Sequence, residues 1–82
     1  MDNEKVARLV YDMAVQAYND HKFTSDEKKQ DVLTATDDCF YLWNSKNYAG
    51  VINRGLLALH LMWGNEDPRY AQIMEAMNEG NQ

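Results

Sequence analysis

Three observations predict an all-α protein that folds as a compact bundle of four helices. Apolar residues recur at intervals of three and four positions along most of the 82-residue chain, which is the period of an α-helix. β-branched residues never alternate with polar ones over the length of a strand. The connections between the periodic segments are short, which favours antiparallel neighbours. We therefore expect one helical domain over residues 1–82, with helices at about 3–20, 25–43, 46–63 and 68–78.

The first two helices are predicted from their caps and from their apolar faces. Asp2 or Asn3 can cap the first helix. The segment from Thr24 to Glu27 has the pattern of a capping box, in which these two side chains satisfy free amides at the start of the second helix. The residues expected to be buried are Val6, Leu9, Val10, Met13, Ala14 and Ala17 in the first helix and Val32, Ala35, Cys39, Leu42 and Trp43 in the second, with Leu33 and Phe40 on one flank.

A glycine and a proline separate the third helix from the fourth. Ser45 can cap the third helix, and Gly64 supplies the backbone conformation with which helices often end. Asp67 before Pro68 predicts the start of the fourth helix, because proline in the first helical position loses no hydrogen bond. A frayed tail is expected at 79–82. The residues expected to be buried are Tyr48, Val51, Ile52, Gly55, Leu56, Ala58, Leu59, Met62 and Trp63 in the third helix and Tyr70, Ile73, Met74 and Met77 in the fourth.

Composition and charge restrict the classes of function that this chain can have. Lysine and arginine total 8 against 13 aspartate and glutamate residues, and the net charge of −5 disfavours direct binding to nucleic acid, which requires clustered cations. Cys39 is the single cysteine, so no disulfide forms within the chain, and one thiol fits a reducing cytoplasm. The chain shows no basic-then-apolar leader and no run of about 18 apolar residues. We expect a cytoplasmic protein without a signal peptide that does not bind membranes.

Residues that commonly carry catalysis or bind metals are sparse. His21 lies in a predicted loop and His60 on the polar side of the third helix, and neither has further ligands at a metal-binding spacing. Asp37 and Asp38 are adjacent, so their carboxylates point about 100° apart on a helix and do not converge. Cys39 lies on a buried face and is expected to be a small core residue. We therefore expect no enzyme activity, no cofactor and no bound metal.

Two helices carry more apolar surface than one neighbouring helix covers. Leu57 and Leu61 lie outside the main apolar face of the third helix, one turn apart. Tyr11, Val15 and Tyr18 flank the main face of the first helix in the same way. Either both helices are central and pack against two others each, or these five residues contact a protein partner. The second interpretation predicts a non-catalytic interaction or regulatory protein that acts as a homodimer or an adaptor.

Acidic residues on the second helix lead to a different hypothesis. Glu27, Asp31 and Asp38 share one side of this helix, and Asp37 lies beside them. Such carboxylates can imitate a line of phosphates and occupy the basic groove of a nucleic-acid-binding protein. Small acidic inhibitors of this kind are typical of viruses and mobile elements. The simpler interpretation is a solvated helix face that keeps the protein soluble.

Overall fold

The computed structural model describes residues 2–79 and contains four α-helices in that range. Helix α1 spans Asn3–Asp20, α2 spans Asp26–Asn44, α3 spans Tyr48–Trp63 and α4 spans Tyr70–Glu79. The all-α class and the four-helix architecture are confirmed, and each helix begins and ends within two residues of its predicted bounds. Glu79 belongs to α4 and not to a frayed tail, and the rest of the expected tail, 80–82, lies outside the described residues.

Of the two caps predicted for α1 and α2, the first is confirmed and the second is wrong. Asp2 caps α1 as expected, because its Oδ1 accepts a hydrogen bond from the backbone N–H of Lys5 at 3.3 Å. The capping box expected at Thr24 is wrong. Ser25 has the extended backbone of a cap, and its Oγ accepts from the Lys28 amide at 3.2 Å. The helix therefore starts one residue later than that motif implies.

The start of α3 is capped by Asn47 and not by Ser45, so that prediction is also wrong. The Ser45 hydroxyl donates to the carbonyl of Tyr41 at 3.1 Å and therefore completes the end of α2. The Oδ1 of Asn47 accepts from the amide of Gly50 at 3.0 Å. A Cβ atom at Gly50 would lie 3.0 Å from the Asn47 side chain, so glycine leaves room for the cap.

Helix α3 packs closely against both α1 and α2, whereas α1 and α2 contact each other less extensively. Helix α4 packs against α1. The molecule measures 41 × 30 × 16 Å, which corresponds to two helix layers, since packed helices lie about 8–10 Å apart. The buried core consists of Val6, Ala7, Val10, Ala14, Ala17, Val32, Ala35, Cys39, Val51, Ile52, Ala58, Leu59, Met62 and Ile73.

The predicted buried faces are confirmed at their centres but not at all of their edges. Phe40 was expected on the flank of the α2 core, yet 52% of its surface is exposed. Met74 was expected in the core and is 56% exposed. Both predictions fail because a molecule of two layers leaves one flank of each outer helix without a neighbour. Trp63 is half-buried where the chain leaves α3.

Glycine at position 55 allows α1 and α3 to approach each other closely. Gly55 is buried on α3, and a Cβ atom there would overlap the Cγ1 methyl group of Val10 on α1. Val10 is completely buried, so its side chain has no solvent into which it could turn. The contact between the two helices therefore depends on the absence of a side chain at Gly55.

The Gly55→Ala substitution is expected to destabilise the protein. Alanine favours helices over glycine by about 1 kcal/mol, but an extra methyl group in a packed core costs about 1–3 kcal/mol, and more where backbone must move. We expect the free energy of unfolding, measured by urea denaturation, to fall by about 1–2 kcal/mol. Asn53→Ala, at an exposed position of the same helix, is the control and should not destabilise. Undiminished stability of Gly55→Ala would contradict the close contact.

Candidate interaction surface

An open groove runs along the surface between α2 and α3. These helices form an antiparallel hairpin, because only residues 45–47 connect them. The groove includes a depression of about 320 Å³ that is open to solvent. The residues that line it are Asp31, Thr34, Ala35 and Asp38 from α2 and Arg54, Leu57 and Leu61 from α3. The apolar pair predicted on the third helix and two of the predicted acidic residues therefore meet at one site.

The antiparallel hairpin determines which residues face each other along this groove. Its register places Leu57 beside Ala35 at the middle and Leu61 beside Asp31 one turn further on. Leu57 remains 41% exposed, although the opposing Ala35 is buried. Leu61 is partly buried. The centre of the groove is therefore apolar, and one of its ends is acidic.

An ion pair closes the other end of the groove. The Nε of Arg54 on α3 lies 3.6 Å from a carboxylate oxygen of Asp38 on α2. The two side chains are 51% and 42% exposed, respectively, so solvent screens their attraction. Asp38 therefore neutralises the positive charge of Arg54 within the groove.

Two of the three α1 residues predicted to contact a partner, Tyr11 and Tyr18, pack against the core of the molecule. The ring of Tyr11 lies 6.4 Å from that of Trp43, and the ring of Tyr18 lies 5.6 Å from that of Phe23. Partial burial raises the pKa of the Tyr11 phenol. Tyr11 and Val15 line a separate depression formed by α1 alone. The structure therefore does not join these residues and the α3 leucines into one continuous surface.

The four predicted acidic residues do not all lie on one side of α2, because Asp37 faces away from the depression that Asp31 and Asp38 line. Glu27, Asp31 and Asp37 are exposed and form no ion pair within residues 2–79, whereas Asp38 pairs with an arginine of α3. The negative charge of Asp37 contributes to the raised pKa of Tyr11, which places Asp37 on the α1 side of α2. Asp38 lies on the α3 side. The divergence expected for these adjacent carboxylates is therefore present.

Two exposed aromatic residues on α2 were missed by the sequence analysis as surface features. Tyr41 is 70% exposed and Phe40 is 52% exposed, and their rings meet edge to face with centroids 5.4 Å apart. Their exposure could have been predicted from their positions on a helical projection. This projection places Tyr41 about 150° and Phe40 about 110° from the middle of the arc formed by the buried α2 residues.

The turn between α3 and α4 is held by interactions within a small cluster. The guanidinium of Arg69 binds both carboxylate oxygens of Asp67, at 2.8 and 2.7 Å, and its hydrogen bonds hold the pKa of that carboxyl at about 2. The same guanidinium lies 3.7 Å from the centre of the Trp63 ring. Gly64 has a φ of 78° and ends α3 as predicted, and its carbonyl accepts from the Tyr70 hydroxyl at 2.6 Å.

A cleft of about 500 Å³ lies between this turn and the end of α1. Asp20 and Lys22 contribute opposite charges to its wall, and so do Asp67 and Arg69, which already bind each other. The mixed charges favour no particular class of ligand. The groove between α2 and α3, with an uncovered leucine at its centre, is the better candidate for recognition.

The potential catalytic groups have structural roles. Cys39 is completely buried, its Sγ lies 3.6 Å from the carbonyl oxygen of Val51, and burial raises the pKa of the thiol to about 11. Its predicted role as a core residue is confirmed. The Nδ1 of His60 lies 3.2 Å from the Gly64 carbonyl oxygen. Within residues 2–79, no group of three or more His, Cys, Asp and Glu side chains is arranged to hold a metal ion.

No helix in the described part of the chain has both the length and the apolar character needed to span a membrane. The comparisons with known proteins found no matching family model, no matching curated protein and no matching solved structure. Arguments about function therefore depend on the residues of the groove and on the charge around it.

Alkaline pH should destabilise the fold through Cys39. The pKa of this thiol rises from 9.0 to about 11 because burial disfavours the thiolate. A raised pKa gives stability that is complete below pH 9.0 and is lost as the pH rises through about 11. We expect the free energy of unfolding to fall over this range, and Cys39→Ala to show a smaller decline from a lower starting value. An identical decline in the variant would contradict this assignment.

Proposed function

We propose that this protein is a small, non-catalytic interaction or regulatory protein that contacts a protein partner through the groove between α2 and α3. The observation that carries the proposal is the 41% exposure of Leu57 next to the partly buried Leu61. Complete burial of one leucine contributes about 1.5–3 kcal/mol. A small domain gains little stability from its own core, so a leucine that remains 41% exposed beside a partly buried one is better explained by a partner that covers it.

The roles of the other polar groups support a non-catalytic function. Cys39 is buried, and its raised pKa keeps the thiol protonated near neutral pH, which leaves it without a nucleophilic thiolate. The partner is either a second copy of the chain, which makes the protein a homodimer, or a different protein, which makes it an adaptor. Tyr11, Val15 and Tyr18 lie outside this groove and are not part of the proposed contact surface.

A second candidate function is supported by the charge of α2. This helix contains five carboxylates and two lysines, and Glu27, Asp31 and Asp37 remain unpaired among the described residues. A helix with this charge can enter the basic groove of a nucleic-acid-binding protein and compete with nucleic acid there. The protein is then an acidic inhibitor, a type of protein that viruses and mobile elements use.

The Leu57→Glu substitution tests the first function. A carboxylate at the centre of the groove should prevent association, because a charge cannot be buried there without a partner. If the partner is a second copy, light scattering over a wide concentration range should show a dimer for the original chain and a 9.5 kDa monomer for the variant. If the partner is a different protein, the variant should lose partner capture. Helicity should be unchanged in both cases. Met74→Glu, at another exposed apolar position, is the control. Unchanged mass and unchanged partner capture in Leu57→Glu would refute the proposal.

Neutralising the acidic residues tests the second function. We expect the protein to displace labelled DNA from a basic nucleic-acid-binding protein, and added salt should weaken this competition. The combined variant Glu27→Gln, Asp31→Asn, Asp37→Asn and Asp38→Asn should lose it. The control neutralises four carboxylates on other parts of the chain, namely Asp12, Asp20, Glu66 and Glu75. Competition that persists at high salt, or in the α2 variant, would count against this function.

A further inference from the structure

We infer that the groove between α2 and α3 binds an amphipathic helix whose apolar side chains are flanked by lysine or arginine. The inference rests on the function proposed first and names the partner by its chemistry. Three features of the groove carry it: its shape, the spacing of its two leucines and the charge of its walls.

The shape of the groove fits a helix. Two antiparallel helices have a groove on each side, and a third helix fills such a groove by inserting side chains between the residues of both. Helix α1 packs against α3 on one side of the hairpin, with Val10 placed over Gly55. No described helix fills the other side, where the small Ala35 leaves the depression of about 320 Å³ beside Leu57. A partner helix would occupy this side as α1 occupies the first.

The spacing of the two leucines matches the apolar face of a helix. Leu57 and Leu61 are four residues apart on α3, so they present two apolar contacts separated by one helical turn. A partner helix with apolar residues at i, i+4 and i+7 presents contacts at the same interval.

The charge of the walls selects a cationic partner over a second copy of the chain. Asp31 lines the depression with Leu61 and forms no ion pair among residues 2–79, and Glu27 lies one further turn along α2, outside the depression. Arg54 is the cation in the groove, and Asp38 neutralises it. A second copy of the chain would bring the same net charge of −5 to this surface and would be repelled. A lysine or arginine of a cationic partner would instead form an ion pair with the carboxylate of Asp31.

Synthetic helices are the probes for this site. One set has leucine at i, i+4 and i+7 with lysine at the flanking positions, in several registers, and a matched set has glutamate in place of lysine. We expect a fluorescently labelled lysine peptide to bind the intact chain with a dissociation constant that increases with salt, and the glutamate peptides not to bind. Failure of every lysine peptide to bind below about 1 mM would overturn the inference.

Two pairs of variants then locate the binding site. Leu57→Ser should weaken binding about tenfold or more, whereas Met74→Ser removes an apolar side chain on α4 that is even more exposed and should not. Asp31→Lys should weaken binding about tenfold, whereas Asp37→Lys makes the same change in charge on the other side of α2 and should have a smaller effect. Equal effects within either pair would overturn the inference.

The binding site can also be located on the unmodified protein, so that the result does not depend on whether the variants fold. A spin label on the lysine peptide should broaden the amide resonances of 31–38 and 54–61 more than those of α1 and α4. Broadening centred on α1 or α4 would overturn the inference. Light scattering distinguishes failure of this inference from failure of the proposed function. Self-association that Leu57→Glu abolishes, together with no peptide binding, would reject the cationic helix and retain the interaction protein.

Discussion

The close contact between α1 and α3 at Gly55 is the constraint on which the arrangement of the other helices depends. Because a side chain at this position would overlap Val10, the two helices can lie this close only when the position is glycine. Helix α1 then covers one side of the α2–α3 hairpin, and α4 packs on α1 and, through Tyr70, on His60 and Trp63 at the end of α3. The opposite side of the hairpin is left to solvent, which places the groove there.

The size of the core side chains has a direct effect on the surface. Most of the core residues are alanine, valine or cysteine, and Leu59 and Ile73 are the largest that are completely buried. Small side chains allow close helices, but they leave little volume in which a large side chain can be enclosed. Larger side chains such as Phe40, Tyr41 and Leu57 consequently remain at the surface of a molecule 16 Å thick. The apolar surface of this protein is a consequence of how its core is built.

The helices could be predicted from the chain because their apolar spacing is a local property. Their exact starts could not, since Ser25 stands next to Thr24 and Asn47 lies two residues after Ser45, and each of these side chains can accept a capping hydrogen bond. The choice between them depends on where the preceding segment turns. That in turn depends on how the helices pack.

The candidate site was predictable in part for a similar reason. A helical projection places Leu57 outside the main face of α3, but its exposure depends on the residue that the hairpin register sets opposite. That residue is Ala35, a buried residue whose short side chain lines the depression beside the leucine. Tyr11 also lies outside its main face, yet the distant Trp43 packs against it. In the same way, the ion pair of Asp38 with Arg54 is a contact between helices that no periodicity reveals.

The cluster that holds the turn before α4 has a consequence for the cooperativity of the fold. Ile73 is the single residue of α4 that is buried among those described, so this helix adds little to the core. The contacts of Arg69 with Trp63 and of Tyr70 with Gly64 therefore supply much of its attachment. Amide protons of α4 should then exchange with solvent through local opening, whereas those of α2 and α3 should exchange only through global unfolding. Since the groove belongs to the hairpin alone, its geometry persists while α4 detaches and returns.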